Sequence, residues 1–255
     1  MLLTRWKSPL RRVLGDTAAN VLIEFSRIRF VLFGVLDLMH PERGGGPFNG
    51  QQARVALFES ILAKSSPAII VETGTYLGST TEYLAATKLP VYSVESDRCA
   101  YGFAKARLWR RHNVHLKRGD SRAALQEWLD GPLHNHSSGP ALFYLDAHWS
   151  SDLPLGEELA VIFDRCGDAI VMIDDFRVPF DSGSGYDDYG DGKVLVPAYI
   201  EPAVHSFRLR GFYPSTPSAE ETGLRRGCIV LVKEASLIRD MEALPLLREA
   251  IPSSI

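Results

Sequence analysis

Three carboxylates, Asp146, Asp174 and Asp175, end two apolar runs, Phe143-Tyr144-Leu145-Asp146-Ala147-His148-Trp149 and Ile173-Asp174-Asp175-Phe176. If the runs are strands of one sheet, the acids meet at a single edge, where like charges repel unless a cation or a proton intervenes. A hard divalent ion with oxygen ligands, Mg²⁺ above all, would resolve that repulsion; loop N–H groups and water are the alternative. His148 is either a proton acceptor working near neutral pH or an imidazole hydrogen-bonded to a carboxylate for structural reasons.

Upstream, Glu72-Thr73-Gly74-Thr75-Tyr76-Leu77-Gly78-Ser79-Thr80 closes another apolar run with an E-x-G-x-x-x-G turn and leads into a helical stretch. Glycine lets a backbone approach a ligand closely, and the helix N-terminus beyond it offers free N–H groups. The spacing is not G-x-G-x-x-G, so a dinucleotide pyrophosphate is a poorer fit. The next run ends Val94-Glu95-Ser96-Asp97. Glu95 thus stands about 20 residues past the glycine turn, where nucleotide-binding α/β folds place the acid that accepts ribose hydroxyls. A third run ends Arg118-Gly119-Asp120-Ser121. Here Asp120 and Ser121 either meet an adenine edge, or Asp120 caps the helix that Ser121 opens.

The elements that must position these residues are legible as an alternation. Strands are expected over Ala68 to Glu72, Val91 to Glu95, Val114 to Lys117, Ala141 to Leu145 and Ile170 to Ile173. Helices are expected over Ser79 to Thr87, Arg98 to Arg110, Ser121 to Leu129 and Leu155 to Cys166. Strands alternating with helices predict a parallel sheet covered by helices. His205 to Phe212 and Cys228 to Lys233 read as two further strands forming a hairpin-like antiparallel pair, and Ser236 to Ala250 as a helix divided at Pro245. The expected fold is therefore α/β and Rossmann-like, a seven-stranded, mostly parallel sheet with an antiparallel final strand and helices on both faces.

In this order, E-x-G-x-x-x-G, the Val-Glu strand end, Gly-Asp-Ser, L-D-A-H-W and I-D-D-F resemble class I S-adenosylmethionine-dependent methyltransferases. The acid pattern is most similar to metal-dependent O-methyltransferases of the macrocin and catechol types. The likeness spans roughly residues 51 to 233. It implies that Glu72, Gly74 and Gly78 shape the methionine end of an S-adenosylmethionine pocket to which Thr73, Tyr76 and Ser79 also belong, that Glu95 binds ribose, and that Asp120 and Ser121 border adenine. Asp146, Asp174 and Asp175 would hold Mg²⁺, which orients a substrate hydroxyl and lowers its pKa. Asp146 would serve cofactor and catalysis alike. No lysine follows Trp149, where the catechol enzymes carry their base, so His148 or Asp146 is expected to take that role. The expected activity is O-methylation of a small-molecule hydroxyl, on a sugar or natural-product scaffold. A cephalosporin hydroxylase-like enzyme on the same fold and a non-catalytic nucleotide-binding scaffold are the rival readings.

Twenty-eight basic and thirty-one acidic residues give a net charge of −3, with no global positive field for nucleic acid. The 255 residues are 45% hydrophobic and 23% charged, which excludes disorder and a collagen-like chain. Cys99, Cys166 and Cys228 form no C-x-x-C pair and read as small buried hydrophobes, fitting a reducing, cytoplasmic compartment. Residues 1–50 form an expected N-terminal helical extension to a methyltransferase domain over 51–255, with a Gly/Pro break from Pro41 to Pro47. An apolar stripe in residues 16 to 40 (Phe25, Ile28, Leu32, Val35, Leu36) needs a partner surface: the main domain, a second subunit in a homo-oligomer, or a membrane face suited to Arg5, Lys7, Arg11 and Arg12. The loop from Asp181 to Gly192 fails as an EF-hand and is expected to be a lid bearing Tyr186 and Tyr189. Tyr213 to Arg226 would wall the acceptor pocket, with Arg225 and Arg226 meeting an anionic group on the acceptor.

Overall fold

The computed structural model describes residues 45–134, 139–148 and 152–250. The expected helix over residues 16 to 40, and Trp149, lie outside them.

Eight strands form one sheet: β1 (Ile69–Thr73), β2 (Val91–Glu95), β3 (Val114–Arg118), β4 (Ala141–Leu145), β5 (Ala169–Asp174), β6 (Arg210–Pro214), β7 (Cys228–Val232) and β8 (Leu247–Glu249). Their order is β3-β2-β1-β4-β5-β7-β6-β8. The first five are mutually parallel. β7 runs antiparallel to β5, β6 to β7, and β8 to β6. The chain turns outward in both directions from β1 and β4, so a crevice opens between their C-terminal ends, where sheets of this kind bind ligands.

Helices α1 (Gln52–Ser65), α2 (Ser79–Ala86), α3 (Arg98–Arg107), α4 (Ser121–Asp130), α5 (Leu155–Arg165), α6 (Pro197–Phe207) and α7 (Ala235–Glu242) cover the sheet. The core divides accordingly. Val71, Phe143, Leu145 and Val171 pack with Leu125, Trp128, Leu159 and Ile162 on one face. Ile70, Leu142, Tyr144 and Ile170 pack with Leu57, Phe58, Ile61 and Met241 on the other. That split is the two-residue period of strands buried on both faces.

Three expectations are corrected. Residues from His205 do not begin a strand: they finish α6, which opens at Pro197, a residue pre-set for a first helical turn, and ends where Arg208 takes a left-handed φ of 55°. The tail is helical only to Glu242, and beyond Pro245 it adds β8, an eighth strand. Cys99 is half-buried, whereas Cys166 and Cys228 are buried, and none of the three is joined in a disulfide. Among the described residues no helix is long and apolar enough to cross a membrane.

Candidate functional site

A cavity of about 1150 Å³ lies over the crevice, lined in part by Gly74, Glu95, Asp120, Asp146, His148 and Arg226. Gly74 sits at a φ of +87°, and a Cβ there would stand 2.2 Å from the Asp146 carbonyl oxygen. The loops after β1 and β4 can therefore touch only if position 74 has no side chain.

Glu95 ends β2 with only 8% of its surface exposed. It accepts hydrogen bonds from the backbone N–H of Tyr76 at 2.6 Å and of Asp97 at 2.7 Å. Burial raises its pKa against the pull of these donors. A carboxylate has about four acceptor positions, so this rigidly held group retains capacity for ligand hydroxyls. Asp120 accepts from the Arg122 N–H at 2.9 Å and from the Arg122 guanidinium, so the capping role is real, yet Asp120 and Ser121 also line the cavity. Hydrogen bonds from Arg122 hold the Asp120 carboxyl below its ordinary range.

Four residues expected to bind cofactor stand off the cavity wall. Tyr76 lines it, but Glu72, Thr73, Gly78 and Ser79 do not. Glu72 is fully buried and accepts from Thr81 Oγ1 at 2.5 Å and Ser93 Oγ at 2.5 Å. Burial pushes its carboxyl up to about 7. It thus ties α2 to β2 behind the glycine turn.

The acidic trio is not brought together as a cation site. Among the described residues no group of three or more His, Cys, Asp or Glu side chains is arranged to hold a metal. Asp174 is fully buried and off the cavity wall. Arg54 of α1 donates to its Oδ1, and the Tyr144 hydroxyl donates to its Oδ2 at 2.6 Å. Burial alone would raise the Asp174 pKa, but the adjacent guanidinium and this hydroxyl hold it below the usual range. Asp175, at a strained φ of 52°, receives the Arg226 Nε–H at 2.7 Å. Burial and the Asp174 charge nevertheless push it up to about 7.

Asp146 is different. It is half-buried against the cavity, and none of the described residues forms a hydrogen bond to its carboxylate. Burial, then the charges of Asp174 and Asp175, raise its pKa well above the ordinary carboxylate value. His148 Nε2 lies 3.3 Å from the Asp174 carbonyl oxygen. Since a carbonyl only accepts, this contact puts the proton on Nε2 and leaves Nδ1 as the bare acceptor, buried without a partner among the described residues. Burial lowers the His148 pKa, keeping the ring neutral.

The remaining wall comes from distant segments. A short 3₁₀ turn, Pro47–Gly50, precedes α1, and its Phe48 packs against Phe58 and Tyr144 with ring centroids 5.1 Å apart in each pair. Gly223 meets the turn so closely that a Cβ on it would lie 2.2 Å from the Asn49 carbonyl oxygen. Glu221 accepts from the N–H groups of Ala53 at 3.0 Å and Arg54 at 3.1 Å, capping α1 from far along the chain. From the expected lid, Tyr189 lines the cavity, its single O–H shared between the His148 carbonyl oxygen and the Asp187 carboxylate. Tyr186 instead lies under Arg177, 5.5 Å from its ring centroid. Arg226, expected to meet an acceptor anion, is engaged by Asp175 and Asp187 of its own chain.

Arg54, Tyr144 and Asp187 were not foreseen. Arg54 had a usable signal: with Leu57, Phe58 and Ile61 it falls at i, i+3, i+4 and i+7, the buried stripe of α1, where a guanidinium requires a buried acid. Asp187 had no comparable signal in its acidic loop.

No family model matches the chain, and no curated protein matches it. Solved structures do. The methyltransferase domain of bacterial CtHen1-C superposes with a TM-score of 0.50 at 12% identity, covering 74% of this chain and 100% of that one. S-adenosylmethionine-bound CalS10, an amino pentose methyltransferase from Micromonospora echinaspora, gives 0.47 at 13% identity, covering 74% and 93%. A TehB-like S-adenosylmethionine-dependent methyltransferase from Corynebacterium glutamicum gives 0.42 at 16%, covering 69% and 86%. The chain has the Rossmann-like fold of S-adenosylmethionine-dependent methyltransferases.

Proposed function

We propose that the protein is an S-adenosylmethionine-dependent methyltransferase acting on a hydroxyl of a small molecule, with Asp146 as general base. The observation that carries this reading is the division of labour within one cavity: Gly74, Glu95, Asp120 and Ser121 line it beside Asp146, a carboxylate with a raised pKa and no hydrogen-bond partner among the described residues. The cavity's volume suits a nucleoside-sized cofactor together with an acceptor. The donor set fits the cofactor: Glu95 would take the ribose hydroxyls, and Tyr76, Asp120 and Ser121 would border its adenosyl portion. When bound, the cofactor supplies an electrophilic methyl group on a sulfonium.

The chain's own part is to position the acceptor and take its proton. A base works best when its pKa lies near the working pH, and burial among acids moves Asp146 in that direction. Neutral His148 offers Nδ1 as a second acceptor close to the same β4 loop. The trio's fit to Mg²⁺ is poor, because both Asp174 oxygens are already bound by Arg54 and Tyr144.

Titration calorimetry with S-adenosylhomocysteine, NAD⁺ and FAD tests the reading. Binding of the adenosyl ligand alone supports methyl transfer. Binding of none favours a non-catalytic scaffold, and flavin or nicotinamide binding favours a redox enzyme on this fold.

A further inference from the structure

We infer that Arg54 and Arg226 stand where a divalent cation would otherwise be needed, their fixed guanidinium groups supplying the counter-charge of the acidic centre so that it takes up no metal ion. The inference deepens the methyl-transfer reading and draws its chemical meaning from it, but its test is a binding measurement independent of turnover.

The two arginines are built into one lattice of contacts. Arg54 donates to Asp174 through one nitrogen and to the Arg226 carbonyl, at 2.7 Å, through another. The Gln51 side chain holds the backbone of the same residue in both directions, donating to the Arg226 carbonyl at 2.9 Å and accepting from its N–H at 3.1 Å. That backbone grip aims the Arg226 guanidinium at Asp175 and Asp187 together. Residues near position 50 and near position 226 thus fasten each other, and between them they neutralise two of the three acids Asp174, Asp175 and Asp187.

Displacement by a metal is unfavourable for a physical reason. A guanidinium cannot shed its proton in a protein, so a cation replacing Arg54 at Asp174 would leave a second, unpaired positive charge in a site where Arg54 is 3% exposed. Asp175 and Asp187 present the same conflict through their shared arginine. Asp146 remains, but one free carboxylate is a weak site for Mg²⁺, which is bound through carboxylates and substrate oxygens together. The metal-dependent enzymes that the sequence resembles place their acids around an ion; here the same acid pattern is spent on arginines, and proton removal falls to Asp146 itself.

Mn²⁺ is the probe, added to the purified full chain and followed by the loss of its free-ion electron paramagnetic resonance signal. The wild-type chain is expected to leave the Mn²⁺ signal unchanged up to about millimolar ion. Arg226→Gln, at a partly exposed position on the wall, is expected to gain Mn²⁺ affinity by about tenfold or more, because Asp175 and Asp187 lose their counter-charge beside Asp146. Circular dichroism establishes that the variant is folded, and Arg226→Met serves as the second variant. Stoichiometric Mn²⁺ binding by the wild type that Asp146→Asn removes would overturn the inference. So would folded variants at position 226 that bind no more Mn²⁺ than the wild type. Wild-type binding of both S-adenosylhomocysteine and Mn²⁺ would overturn this inference alone, whereas absence of both would leave it standing and remove the methyl-transfer reading.

Discussion

Asp146 is the one carboxylate on the cavity wall held neither by an arginine nor by a backbone N–H of the described residues; Glu95 has its N–H pair, and Asp175 and Asp187 share Arg226. Its burial beside ionised neighbours raises its pKa, so the base form is lost as pH falls through a value above the ordinary carboxylate range. The acid limb of kcat/KM is expected in that raised window. Asp146→Asn should lower kcat by about 10²- to 10⁴-fold and flatten the limb, the usual scale for a general base. A wild-type limb at the ordinary carboxylate pKa, or one persisting in the variant, would place the base elsewhere. The sequence pointed to Asp146 because strand-end acids at a ligand edge are conspicuous. It did not reveal that Asp174 turns away from that edge, since the cause, Arg54, is 120 positions upstream.

At the scale of elements, the strands of the parallel half were legible because each is a short apolar run, and α2 to α5 because each follows such a run and two open on an aspartate cap. The cap of α1 was not legible: Gln51 caps nothing with its side chain, and Glu221 does so through tertiary packing. Removing a helix cap costs about 0.5–2 kcal/mol. Glu221→Ala is expected to lower unfolding free energy within that range, measured by urea denaturation. Because the same contact fastens the wall bearing Arg54 and Arg226, adenosyl-ligand affinity is expected to weaken as well. An unchanged denaturation midpoint would show that the cap is not bearing on α1.

For the whole molecule, buried carboxyls shape the pH behaviour of stability, Glu72 and Glu158 adding to the raised Asp146, Asp175 and Glu95 of the cavity. Burial pushes Glu72 and Glu158 up to about 7 each in the folded chain, above their ordinary value. A raised folded pKa means that the native state binds the extra proton, so the stabilisation is full below the unfolded pKa and is lost as pH rises through about 7. The melting temperature is expected to decline by several degrees from pH 5.5 to 8.5, on the order of the shifts involved. Glu72→Gln with Glu158→Gln should make that slope shallower, leaving the part due to Asp146, Asp175 and Glu95; an equally steep slope in the double variant would assign it wholly to other groups. The overall α/β order was readable because period and spacing are local properties, whereas β8, the Pro47–Gly50 packing and the arginine lattice depend on contacts between distant parts of the chain.

The most direct measurement is calorimetric titration of S-adenosylhomocysteine into the wild-type chain and Glu95→Ala. The expected result is one adenosyl ligand per chain, with affinity falling by about 1.5–3 kcal/mol in the folded variant, the scale of charge-assisted hydrogen bonds from ribose hydroxyls to a carboxylate. Absence of wild-type binding, or equal affinity in a variant with native circular dichroism, would contradict the assignment of this cavity to an adenosyl cofactor.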